Sequence, residues 1–301
     1  PRVSQYFDAL RGKMRLLSLP KRVLAHRRED PQTGGMEEPL SLDLPKVKVV
    51  DMRAELRAGN SSVLSKTLRD SLAATLQAGQ QAILFLNRRG RATYVFCRQC
   101  GYTLRCPRDE QALVYHGSGQ GLVCHLCGYT RQMPQKCPQC GSSQIRQLGL
   151  GTQRLEEVVK KEFPQARLLR WDADTTRRKG EHDLILSHFS AHRADVLIGT
   201  QMLAKGLDLP LVTLVGIVLA EVGLNLPDYR AAERSFQVLT QVAGRAGRSP
   251  LGGQVVLQTY QPENYVIQAA ARHDFEAFYQ QELEQRKALD YPPYSRLIRL
   301  E

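Results

Sequence analysis

Seven cysteines lie between Cys97 and Cys140, and the rest of the 301 residues contain none. They fall as Cys97-x2-Cys100, Cys106, Cys124-x2-Cys127 and Cys137-x2-Cys140. A gap of two residues lets both thiolates of one turn grip the same tetrahedral Zn²⁺, with Zn–S near ~2.3 Å. Gly101, Gly128 and Gly141 follow the three pairs, where a backbone doubling back needs positive φ. The rival reading is a disulfide framework, which belongs to short secreted chains with even cysteine counts. This chain is long, its count is odd, and its opening PRVSQYFDALRGKMRLL lacks the apolar core of a signal peptide. Reduced thiols imply the cytoplasm. No initiating Met precedes Pro1, so the chain reads as a fragment.

Three pairs and Cys106 supply seven sulfurs, whereas two closed sites need eight ligands. Asp109 sits three residues after Cys106, where a fourth pair would place its second cysteine. A carboxylate binds zinc at ~2.0–2.2 Å, so Asp109 is a candidate ligand, with His116 and His125 as alternatives.

Forty-two Lys and Arg against 30 Asp and Glu leave a net charge of +12. That balance suggests a polyanionic partner, nucleic acid first. No run of 18 apolar residues occurs, so no membrane-spanning helix is expected.

Residues 1–45 are basic and poorly patterned, and KRVLAHRREDPQTGGMEEPLSLDLP reads as a linker. Strands are expected at Lys46–Met52, Ala82–Leu86, Tyr94–Phe96, Ala166–Trp171, Asp195–Thr200, Val212–Ala220 and Gly253–Tyr260. Helices are expected over Lys66–Ala78, capped by Ser65 and closed by Gly79, and over Leu155–Phe163, Asp183–Ser190, Tyr229–Ala243 and within Pro262–Ala288. Strands alternating with helices predict an α/β fold: a parallel sheet with helices on both faces. The cysteine block interrupts it as an insertion leaving after Tyr94–Phe96 and returning near Leu148. The boundaries are therefore 46–96 and 148–288 for the α/β lobe and 97–147 for the insertion.

Three loops carry polar residues on apolar scaffolding: Asn87–Arg91, Gly199–Pro210 and Gln241–Arg248. Ligands of open α/β sheets gather at the carboxyl ends of the strands, and the loops are expected there. Arg245 and Arg248 lie three apart beside Gly244 and Gly247, suited to neutralising a transferring phosphoryl group. In isolation the pair reads equally as a surface ion pair. No GxxxxGK[ST] cradle and no DExH-type acidic motif occurs, so the chain alone is expected to turn over no ATP.

The stretches VVDMRAELRAGNSSVLS, ILFLNRRGRA, GLGTQRLEEVVKKEFP, DADTTRRKG, IGTQMLAKGLDLPLVTLVG, LNLPDYRAAERSFQVLTQVAGRAGR and YPPYSRLIRL, with the cysteine block, resemble the second helicase lobe of the primosomal protein N-prime (PriA) family of replication-restart helicases. The resemblance implies a RecA-like lobe carrying a zinc-binding insertion, within a protein that unwinds DNA 3′ to 5′ at stalled forks. It implies one zinc on Cys97, Cys100, Cys137 and Cys140, and a second on Cys106, Asp109, Cys124 and Cys127, where Asp109 replaces the family's cysteine. It implies catalytic roles for Arg245, Arg248 and Gln241, nucleotide contacts by Gly206 and Asp208, and DNA contacts by Arg88, Arg89, Thr200, Gln201 and Lys205. ATP and Mg²⁺ come with the first lobe. Forked and single-stranded DNA, primosome proteins and single-strand-binding proteins are the implied partners, and the bacterial nucleoid the implied location. Residues 1–45 resemble the tail of the first lobe and a linker, and 289–301 the start of a C-terminal domain. A non-catalytic, zinc-dependent binding scaffold derived from such a helicase is the alternative.

Overall fold

The computed structural model describes residues 1–18, 22–23, 41–42, 44–87, 93–108, 110–116, 121–147, 150–176, 180–200, 209–226, 228–247 and 251–298. In chain order the elements are α1 (Val3–Leu10), β1 (Arg22–Val23), β2 (Ser41–Leu42), β3 (Lys46–Asp51), α2 (Met52–Arg57), α3 (Lys66–Gln77), β4 (Gln81–Leu86), β5 (Thr93–Cys97), β6 (Val114–His116), β7 (Gly121–Val123), β8 (Thr130–Arg131), β9 (Ile145–Gln147), α4 (Thr152–Glu162), β10 (Leu168–Trp171), α5 (Glu181–Ser190), β11 (Val196–Gly199), β12 (Val212–Val218), α6 (Ala231–Ala243), β13 (Gln254–Thr259), α7 (Tyr265–Ala271) and α8 (Phe275–Ala288).

Six strands form one sheet in the order β10-β11-β4-β12-β13-β3, and every neighbouring pair is parallel. β4 explains why its sequence is apolar throughout. Ile83 and Phe85 point into one core with Phe189, Phe236, Leu239 and Phe278. Ala82, Leu84 and Leu86 point into the other with Leu68, Leu72, Leu155 and Val159. A strand covered on both faces has no polar side to alternate with. Gly216 in β12 lets α3 seat closely, since a Cβ there would press on the Leu68 and Leu84 methyls. Ser65 accepts the Leu68 N–H at 3.1 Å and starts α3, and Gly79 ends it at φ +64°.

Two expectations change. The Tyr94–Phe96 strand, read as part of the α/β lobe, does not join its sheet. β5 pairs antiparallel with β6 and β9 and lies in a separate five-stranded sheet ordered β8-β7-β6-β5-β9. A short run such as TYVFC fits either sheet, and only its partners distinguish them. Residues 1–45 were expected to be poorly patterned, with a linker over residues 21–45. Yet α1 docks on the lobe: Val3 is fully buried in the first core, and Tyr6 packs edge-on against Phe275 and Tyr279.

Candidate functional site

The insertion is built on repeated knuckles. In each CxxC turn the first cysteine's N–H donates to the carbonyl five residues on, and its carbonyl accepts the N–H four residues on. The pairs are Tyr102 and Gly101, Tyr129 and Gly128, Ser142 and Gly141, at 2.8–3.0 Å. The three glycines take φ of +80°, +72° and +70°. Cys106 makes the same two bonds, with Gln111 O and Glu110 N, and Glu110 takes the glycine position at φ +57°. Backbone N–H groups of Arg108 and Leu126 each point at the sulfur two residues back, Cys106 and Cys124, at 3.4 Å. The chain around Cys106 is thus a fourth knuckle in backbone, without the cysteine pair or the glycine that would announce it in sequence. Asp109 itself lies outside the described residues.

None of the seven cysteines is joined in a disulfide. Cys97, Cys100, Cys137 and Cys140 form one cluster and Cys106, Cys124 and Cys127 another, each with its sulfurs within 4.8 Å of one another. Sulfur separations are 3.7 Å for Cys97–Cys140, 3.8 Å for Cys100–Cys137 and 3.5 Å for Cys106–Cys127. Four sulfurs at ~2.3 Å from a tetrahedral ion stand about 3.8 Å apart, so both clusters have the dimensions of a metal site. Disulfide bonds would need ~2.05 Å. His116 and His125 fall in neither cluster; their Nε2 atoms lie 2.9 Å from each other. In the four-thiol cluster burial pushes the Cys100 thiol up to about 12, and the Ser142 N–H draws that of Cys140 down.

The insertion sits on the carboxyl edge of the six-stranded sheet. Tyr260, just after β13, packs its ring at a tilt against Phe96, with centroids 4.9 Å apart, and accepts from Arg98 Nε at 2.9 Å through its hydroxyl. Gln261 Nε2 donates to Gly101 O at 3.3 Å and to Thr103 Oγ1 at 3.1 Å. Behind Tyr260 lies Glu221, 4% exposed, in the short 3₁₀ turn Ala220–Asn225 that follows β12. Its carboxylate accepts the Thr259 hydroxyl at 2.9 Å and the Tyr260 N–H at 3.1 Å. Burial pushes its carboxyl above the usual range, and those two bonds only partly oppose that. Ala220 O accepts from Asn87 Nδ2 at 3.3 Å, so the same turn anchors the start of the Asn87–Arg91 loop. Sequence reasoning passed over Glu221; a lone carboxylate directly after an apolar strand was its only signal.

The expected site residues that are described fall at two different edges of the sheet. Asn87 and Thr200 end β4 and β11 on the carboxyl edge, and Thr200 is half-buried. Arg88, Arg89, Gln201, Lys205, Gly206, Asp208 and Arg248 lie outside the described residues. The Gly244–Gly247 turn was expected at the carboxyl edge and is found at the amino edge. The Gly247 N–H reaches Val212 O, at the start of β12, at 3.3 Å, and Gly247 packs on Gly253 just before β13. The reason is direction: α6 runs back antiparallel to β12, so its end arrives where that strand begins. Gln241 is exposed, whereas Arg245 is only 4% exposed.

A second buried charge network fixes α6 to α8. Arg286, 3% exposed, donates to Glu233 at 2.8 Å and to Glu282 at 2.7 Å, and the Tyr265 hydroxyl donates to Glu282 at 2.6 Å. Arg286 also donates to Pro292 O at 3.2 Å and lies 5.4 Å from the Tyr229 ring.

The helicase conserved C-terminal domain family matches residues 145–250. Replication restart protein PriA of Bacillus subtilis is 48% identical over 98% of the chain, and that of Synechocystis 50% identical over 91%. As a segment, the chain belongs to the PriA family. It spans about a third of the length of these PriA relatives, 34% of each. The Chlamydia muridarum PriA shows the same relation, 42% identical over 99% of the chain and 38% of its own. Among solved structures, the C-terminal domain of the DEAD-box protein Dbp5 aligns over 78% of the chain and 87% of its own, with 15% identity and a TM-score of 0.38. Among the described residues no helix is long and apolar enough to cross a membrane.

Proposed function

We propose that the chain is the second motor lobe of an ATP-dependent DNA helicase of replication restart, moving 3′ to 5′ and acting at stalled forks. The observation that supports this reading best is that Asn87 and Thr200 stand at the carboxyl edge of one sheet and the Gly244–Gly247 turn at its amino edge. Arg88, Arg89, Gln201 and Lys205, with Thr200, contact a DNA strand beside the insertion. Gly206, Asp208, Gln241, Arg245 and Arg248 serve ATP and Mg²⁺ held by a partner lobe. Such a division lets one rigid lobe meet strand and nucleotide together.

The insertion holds Zn²⁺, one ion on Cys97, Cys100, Cys137 and Cys140 and a second on Cys106, Cys124, Cys127 and Asp109. Thiolate sets of these dimensions suit it, and it supplies folding free energy to a sheet with a small core. Primosome and single-strand-binding proteins dock through this module, in the bacterial cytoplasm on the nucleoid.

The test is DNA-stimulated ATP turnover of the intact protein, measured beside DNA binding and thermal stability. A planar guanidinium contacts two phosphate oxygens and lysine cannot reproduce that fork. Arg248→Lys and Arg245→Lys are therefore expected to cut turnover sharply, within the roughly 10³–10⁵ range of arginine fingers. DNA affinity without nucleotide is expected to hold. Arg245 is buried, so its variant counts only where the melting temperature is kept. Normal turnover with lost DNA binding would make these arginines strand contacts. No turnover by the unmodified intact protein would leave the scaffold reading.

A further inference from the structure

A cavity of about 140 Å³ lies in the seam between the insertion and the lobe. The lobe lines it with Met52, Leu219 and Tyr260, each directly after one of the adjacent parallel strands β3, β12 and β13. Ligands of open α/β sheets gather at that end of the strands. The insertion contributes Phe96, Arg98 and Arg146. Phe96 pairs with Arg146 across the β5–β9 ladder, and Arg98 follows Phe96 by two residues, so all three side chains leave one face. Met52, Phe96, Leu219 and Tyr260 are buried, Val63 and Arg98 half-buried and Arg146 exposed, so the cavity opens beside the two arginines. Arg98 is held in place, donating from Nε to the Tyr260 hydroxyl at 2.9 Å and from Nη2 to Ser61 O at 3.0 Å, which leaves Nη1 for a ligand.

We propose that this cavity holds one pyrimidine base of a single nucleic-acid strand, with Arg98 and Arg146 on the flanking phosphates. The inference rests on the nucleic-acid reading above and states how the strand is gripped. A cavity of about 150 Å³ takes one benzene ring, so a single six-membered ring fits here and the fused rings of a purine do not. Phe96 and Tyr260, tilted 58° to each other with centroids 4.9 Å apart, give the base two aromatic walls. Stacking on aromatic side chains beside a basic groove is how single strands are commonly held. A guanidinium can contact two oxygens of one phosphate, and the chain's net charge of +12 draws such a polyanion in. An acidic peptide would satisfy the arginines but would bring no flat ring to the aromatic walls.

The test is binding of the full chain to short fluorescent single strands of thymidine, of deoxyadenosine and of abasic residues, across a salt series. The unmodified chain is expected to bind the thymidine strand at least about fivefold more tightly than the other two. Val63→Trp plugs the mouth of the cavity and is expected to erase that preference while keeping the affinity for the abasic strand. Arg146→Gln is expected to weaken binding to all three strands and to lower the slope of log affinity against log salt by about 0.7, one phosphate contact. Arg146 is exposed, so its variant folds even where Val63→Trp does not. Equal affinity for thymidine and abasic strands, a thymidine preference that survives Val63→Trp, or an unchanged salt slope in Arg146→Gln would each overturn the site while strand binding stands. No strand bound at low salt would overturn it together with the nucleic-acid reading, and would hand the arginines to an acidic peptide.

Discussion

Gly101 lies so close to the Tyr260 carbonyl oxygen that a Cβ at position 101 would overlap it. This is where the first cysteine knuckle meets the end of β13, and only hydrogen can occupy the gap. Gly101→Ala meets two penalties there. Its φ of +80° costs a residue with a Cβ about 1–2 kcal/mol, and the knuckle must also back away from the strand. A melting temperature lower by several degrees with unchanged metal content is expected. An unchanged melting temperature would show that the contact is slack.

Glu110 offers the opposite experiment. It holds φ +57° where the three other knuckles have glycine. Glu110→Gly relieves about 1–2 kcal/mol of backbone strain and gives back roughly 0.5–1 kcal/mol through the freer unfolded chain. Chemical denaturation should show a net gain below about 1.5 kcal/mol, and a loss would mean that the Glu110 side chain is needed.

Metal release should distinguish the clusters. The intact chain is expected to carry close to two zinc, one leaving first to a chelator. Asp109→Cys should slow that first release, because thiolate replaces carboxylate in an otherwise sulfur-rich set. Asp109→Ala with the same stoichiometry and the same release rate would remove Asp109 from the site.

Glu221 sets a pH dependence of known sign. Its folded-state carboxyl is raised by burial, so the protonated form favours the fold. That contribution is complete below the ordinary carboxylate range and is lost as pH rises through the raised value. Stability relative to Glu221→Gln should fall with pH across that window, by at most about 1.4 kcal/mol per unit. A difference between the two proteins that is flat from pH 4 to 9, on the order of the whole carboxylate window, would place the carboxylate in contact with water.

Removing Arg286 leaves Glu233 and Glu282 facing each other in the core without a counter-charge. Arg286→Met is expected to cost about 3–5 kcal/mol in denaturant unfolding. Adding Glu233→Gln and Glu282→Gln should recover most of it, because the penalty lies in the uncompensated charges rather than in the lost pair. A cost under about 1 kcal/mol for the single change would mean that water reaches the site.

Local patterns were legible in the sequence where one residue type has one use. Ser65 before an apolar period capped α3 as expected, the all-apolar AILFL run was a doubly covered strand, and the cysteine spacing gave two thiolate clusters. Partnerships between distant residues were not legible. β5 looks the same whether it joins the parallel sheet or the insertion. The Glu282–Arg286 spacing of four can be read from the chain, but Glu233 enters that network from 53 residues before Arg286. The fourth knuckle hides behind Glu110, whose left-handed backbone is imposed by neighbouring bonds rather than by its own preference. The edge reached by Arg245 depends on the course of α6, which motif order alone does not specify.

The seven residues of β12 span roughly 23 Å at ~3.3 Å each. The turn carrying Glu221 lies at one end of that span and the turn carrying Arg245 at the other. Buried strands and helices packed on both faces make the piece between them stiff. A stiff body held at opposite rims works as a seesaw: tilting it about its middle sends the rims in opposite directions. A pull on the amino rim would therefore reach the carboxyl rim as a push, carried through the seven buried residues of β12.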